Sequence, residues 1–112
     1  MPDDDEKRAA FRALVDGVLH GAGSASADLR ARAFRNEDVA PPPLQVLIDK
    51  VTARPTQVTE ADFAAAKESG CSEDELFELV VCAAVGQSER LYEAGLAALA
   101  EASAGGDAGH AP

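Results

Sequence analysis

The sequence predicts an all-α domain, and three observations carry the prediction. Hydrophobic residues make up 46% of the 112-residue chain but aromatics only 4%, so the core must come from aliphatic side chains on closely packed helices. Apolar residues recur at three- and four-residue steps along most of the chain, the period of one helix face. Two of these runs are headed by start signals, Thr59 with Asp62 and Ser72 with Glu75, each a capping residue followed three positions later by an acid.

In chain order, the first helix is expected from about Asp4 to His20. The acids between Asp3 and Glu6 suit its positive dipole end, and Phe11, Leu14, Val15, Val18 and Leu19 form one apolar stripe. Gly21 to Ser24 ends it. A short second helix follows from about Ser26 to Arg35, with Leu29, Ala33 and Phe34 inward and Arg30, Arg32 and Arg35 mostly toward water. Asn36 to Pro43 reads as a linker, because the three prolines at 41–43 can lead into a helix but cannot lie inside one. Leu44, Leu47, Ile48 and Val51 then mark a third helix from about Pro43 to Ala53. A fourth opens at Thr59 and stops at Gly70.

Ser72 to Val85 is apolar on more than one face and reads as a central, nearly buried helix, which a monomer of this size would struggle to cover. Gly86 is expected to kink or interrupt it before a last helix from Ser88 to Ala102. The two would then form a hairpin between Leu76 and Leu99, with Gly95 allowing close helix contact. One domain thus spans residues 1–102, and residues 103–112 form a disordered tail.

Charge and cysteine usage exclude several classes. Twenty acidic residues against ten basic ones give a formal charge of −10, which repels nucleic acid and anionic lipid. The strongly apolar stretch from Leu76 to Gly86 contains Glu78 and falls far short of the ~20 residues needed to span a bilayer. The amino terminus lacks the basic and apolar regions of a secretion signal, so the expected location is the cytoplasm. Cys71 and Cys82 lie eleven residues apart, ~16 Å along a helix, too far for a disulfide. No second histidine or cysteine lies at ligand spacing from His20, His110 falls in the expected tail, and no metal or cofactor is expected.

Three residues stand as site candidates. Cys71 precedes a helix amino terminus, where the dipole lowers a thiol pKa while Glu73, Asp74 and Glu75 raise it. Cys82, between Val81 and Ala83, reads most simply as a small core residue. Glu78 sits within the apolar helix, where a buried carboxylate needs a partner such as Arg54 or Arg90 and can mark a pocket.

The run from Leu47 to Val51, the segment Val58 to Gly70, and the segment Ser72 to Gly86 with its Ser-Glu-Asp-Glu start together resemble the alkylhydroperoxidase D-like, or carboxymuconolactone decarboxylase-like, family over about residues 43–99. The resemblance implies a helical fold of five to six helices that assembles as a homo-oligomer. It also implies where redox chemistry would sit. Relatives with that chemistry carry a Cys-x-x-Cys pair and a histidine before the glycine matched by Gly70, at positions falling here near Pro55, Val58 and Asp62. With those groups replaced, the family's thiol mechanism cannot run on them. The expectation is a redox-inactive oligomeric binding or accessory protein that holds a small apolar ligand or docks on a partner enzyme. The alternative is an enzyme using a noncanonical thiol or cofactor-free lactone chemistry.

Overall fold

The computed structural model describes residues 4–109, with side chains for residues 5–104. Five helices, α1 (Asp4–His20), α2 (Ala27–Arg35), α3 (Pro42–Ala53), α4 (Glu60–Glu68) and α5 (Glu73–Gly109), are joined by short loops, with a 3-10 turn at Pro55–Gln57. No strand occurs among the described residues.

Local chemistry accounts for most of the boundaries. Ser26 caps α2 by accepting from the Leu29 N–H, and α2 ends at Asn36, whose left-handed backbone returns its N–H to Arg32 and Ala33 carbonyls. Thr59 and Asp62 form the expected reciprocal capping box, and Ser72 and Glu75 repeat it at the head of α5. Gly70 supplies the positive φ, 114°, that turns the chain between α4 and α5. Asp62 has a second partner in the Lys50 ammonium at 2.9 and 3.0 Å, which ties α4 to α3. The bond from Lys50, with the Thr59 N–H after it, holds the Asp62 carboxyl below its ordinary value.

The core lies where α2, α3 and the first half of α5 meet. Leu44, Leu47 and Ile48 of α3 and Leu76, Leu79 and Cys82 of α5 are its largest fully buried side chains, with Ala33 of α2 and Ala66 of α4 filling the gaps. α2 is the main partner of α5, whereas α4 packs chiefly on α3. α1 lies antiparallel along α5, with Val18 beside Cys82 and Phe11 beside Tyr92.

Three expectations are corrected. First, Gly86 does not interrupt α5, so there is no hairpin between Leu76 and Leu99 but one continuous 37-residue helix. The glycine serves packing: a Cβ there would overlap the Phe34 carbonyl, so its absence lets the end of α2 lie directly on α5. Second, the first half of α5 is buried on one side only, since Phe77 is 70% exposed and Val80 and Val81 are half-buried. Third, α5 continues to Gly109, across most of the segment expected as a disordered tail, carried by the strong helix former alanine at 98, 100, 102 and 104. Residues 110–112, His110 among them, lie outside the described residues.

The result is an elongated molecule of 60 × 30 × 22 Å. Its radius of gyration of 17.6 Å exceeds the ~13 Å of a compact chain this long, because α5 runs well past the core.

Candidate functional site

Two features have the geometry of a site. The larger is an open groove of about 820 Å³ between α1 and the middle of α5. It exists because α1 carries two apolar rows. Val18 packs toward the core, while Phe11, Val15 and Leu19, four residues apart, turn one side toward the groove. Tyr92 completes the floor, its ring centroid 6.1 Å from that of Phe11 at a 59° tilt.

The rim is polar and divided by helix. Lys7, Arg8 and Arg12 stand on α1, Glu89 and Glu93 on α5. Asp16 and the exposed His20 close the end nearest the core. The groove thus runs about 20 Å from Lys7 to His20 over an apolar floor of about 12 Å from Phe11 to Leu19, with a cationic and an anionic edge. That volume falls in the range of small-molecule sites.

The second feature is a polar cluster under the loop between α1 and α2. Glu78, reaching from α5, accepts from the Ser24 N–H with both carboxylate oxygens, at 2.9 and 2.8 Å, and from the Ala25 N–H at 3.4 Å. Its expected partners, Arg54 and Arg90, are not used. A carboxylate beside two unpaired loop amides finds its hydrogen bonds there, and Arg90 instead donates to the Phe34 carbonyl at 2.7 Å and to Gln87.

Arg30 departs from expectation in the same cluster. Rather than facing water it is 7% exposed, and its Nη1 donates to the carbonyls of Gly21 at 2.6 Å and Val18 at 3.4 Å. These are orphan acceptors at the carboxyl end of α1, which a guanidinium satisfies well. Its buried Nε makes no hydrogen bond among the described residues. A cavity of about 130 Å³ adjoins Arg30 and Glu78.

The sequence candidates are therefore dispersed. Cys82 is buried against the Val18 carbonyl, 3.6 Å from Sγ, and Cys71 is half-buried in the loop between α4 and α5; both are free thiols. Burial pushes the Cys82 thiol up, with Arg30 opposing and Glu78 adding to the shift. Burial pushes Cys71 up as well, and the Glu75 charge adds to it. A raised thiol pKa lowers the thiolate fraction at neutral pH and so the nucleophile. In native protein at mildly alkaline pH, Cys71 is expected to react with a disulfide reagent more slowly than a free thiol, and Cys82 only on unfolding. A fast reaction of both cysteines would contradict this environment. Reactivity should rise as pH climbs past the ordinary thiol value of 9.0, because the folded state holds the proton beyond that point.

Sequence reasoning missed the groove and Arg30. The signal for the groove was present in the two apolar rows of α1, a stripe wider than a single contact needs. Nothing in the local pattern separates Arg30 from Arg32, because burial of Arg30 depends on where α1 ends.

Fold and site together define an all-helical protein with an amphipathic groove and two free thiols whose pKa burial raises. Among its described residues there is no cluster of three or more metal-ligating side chains, and no helix is long and apolar enough to cross a membrane. No protein-family model, curated protein or solved structure matches the chain.

Proposed function

We propose that this chain is a redox-inactive, oligomeric binding or accessory protein of the alkylhydroperoxidase D-like type, acting in the cytoplasm. The observation that supports a binding role is the α1–α5 groove, with an apolar floor and charged rim in one open, ligand-sized volume. Its natural occupant is a small molecule with an apolar body and an anionic end. The body rests on Phe11, Val15 and Leu19, and the anion meets Lys7, Arg8 and Arg12. The redox-inactive part rests on Pro55, Val58 and Asp62 standing near the positions of the family's reactive groups, and on the raised pKa of both remaining thiols.

A fluorescent anilinonaphthalene sulfonate combines such a body with such an anion. Native protein is expected to bind it, Val15→Asp to abolish binding by placing a charge on the floor, and Arg8→Glu with Arg12→Glu to weaken it by roughly tenfold. Circular dichroism of each variant confirms that the helices persist. Absence of binding by the native protein, or equal binding by all variants, rules the groove out as a ligand site.

A further inference from the structure

α5 carries a second apolar stripe that borders the groove, sharing Ser88 with its lining, while Phe77 and Val81 of the stripe also line the smaller cavity. From Phe77 to Ala102, alternating steps of four and three residues meet only apolar or small side chains: 77, 81, 84, 88, 91, 95, 98 and 102. This is an a/d heptad pattern held without a charge over more than three heptads, the period of a coiled-coil seam. It lies about 120° around the helix from the core face marked by Leu76, Leu79 and Ala83. Phe77 is 70% and Leu91 63% exposed, Val81 is half-buried, and the other five positions are exposed. A Cβ on Gly95 would meet nothing within 4 Å.

We propose that this stripe is the interface for a second copy of the chain, with the two α5 helices antiparallel and the two-fold axis passing between Ser88 and Leu91. The proposal rests on the oligomeric reading above and supplies its surface and geometry. Side-chain size selects the orientation. In that register Phe77 faces Ala102 of the second copy, Val81 faces Ala98, and Leu91 faces Ser88, so each large residue meets a small one and the helix spacing stays even. The remaining layer pairs Ala84 with Gly95. A parallel, in-register pair would set Phe77 on Phe77 and Leu91 on Leu91, with Ala84, Ser88 and Gly95 facing their own kind, alternately forcing the helices apart and leaving gaps.

Charge permits the same arrangement despite a net charge of −10. Among the eight positions flanking the seam, 78, 85, 92 and 99 on one side and 80, 87, 94 and 101 on the other, only Glu78 and Glu101 are charged. The antiparallel register sets them against Leu99 and Val80, so no like charges meet across the seam. Size also suffices. A seam of 25 residue steps is ~38 Å long, and half the circumference of a ~10 Å helix over that length offers ~600 Å² per copy, or ~1,200 Å² in the pair. That reaches the lower bound of a stable interface. A two-fold self-complementary patch is the commonest route to a homodimer.

The test uses the full chain. Sedimentation equilibrium is expected to give a dimer, and Leu91→Glu to weaken it by roughly 100-fold, since a carboxylate would be buried in the seam. The core helices should persist, because Leu91 is 63% exposed and outside the core cluster, and any loss of helical content should be confined to the turns beyond Glu93. In a Cys71→Ser background, a mixture of Phe77→Cys and Ala102→Cys proteins should form a heterodimeric disulfide on oxidation, while Ala102→Cys alone should not cross-link. A native monomer throughout would overturn the proposal and the oligomeric reading together. A dimer indifferent to Leu91→Glu would overturn the seam but keep an oligomer, and an Ala102→Cys homodimer would overturn the antiparallel register. Dye binding by the Leu91→Glu monomer tests the groove independently of all three.

Discussion

Replacing Gly86 by alanine is expected to lower the unfolding free energy by about 2 kcal/mol and the melting temperature by roughly 8 °C. The added methyl would enter the Phe34 carbonyl, and the obstruction is backbone on both sides, so no flexible side chain can swing away. α2 must lift from α5, its principal partner, and the Arg90 bond to the Phe34 carbonyl must stretch or break. Such overpacking costs about 3 kcal/mol, of which alanine's helix preference over glycine returns about 1. Gly17 in α1 is the control. A Cβ there meets nothing within 4 Å, so Gly17→Ala should stabilise by up to ~1 kcal/mol. Equal responses at the two glycines in chemical denaturation would mean that α2 does not rest on Gly86.

Glu78 and Gly23 are expected to show strong coupling with a reversal of sign. Glu78→Ala removes the acceptor for the Ser24 and Ala25 amides and should cost about 1.5 kcal/mol, the low end for a charged acceptor because the loop is open to water. Gly23→Ala should cost nearly the same in the native background, since the new methyl would occupy the place of the Glu78 carboxylate and expel it from the amides. In the Glu78→Ala background that conflict is gone. Gly23 is not among the residues of positive φ, so alanine there should be neutral or stabilise by ~0.5 kcal/mol through the unfolded chain. A double-mutant cycle measures this directly, and simple additivity would show that the carboxylate is not held by the loop.

Gly86 and Glu78 show what the sequence could and could not reveal. Helix starts were legible because a cap is local chemistry: Ser26, Thr59 and Ser72 need only their neighbours three positions on. The all-α class and the core of α3 were legible from spacing alone, since Leu44, Leu47 and Ile48 have one way to face inward. Gly86 misled because glycine within a helical pattern is either a break or a close approach, and only the path of α2 decides between them. Glu78 was rightly singled out as needing a partner, but its partners lie 53 and 54 residues away and are backbone amides, which no side-chain pattern advertises. The groove was half legible. The apolar rows of α1 were on view, whereas the placing of its basic residues in one groove with Glu89 and Glu93 required knowing that α5 is unbroken and that α1 runs back along it.

That unbroken helix has a consequence for how stability is distributed. Its first turns, around Leu76, Leu79 and Cys82, are anchored in the core and can open only when the whole domain does. Among residues 94–104 only Leu96 is not exposed, so in an isolated copy those turns are held by little besides their own hydrogen bonds and can fray without disturbing the rest. One element therefore spans a gradient from globally to locally unfolding backbone, and the order of its distal turns is governed by protein concentration if a second copy covers them.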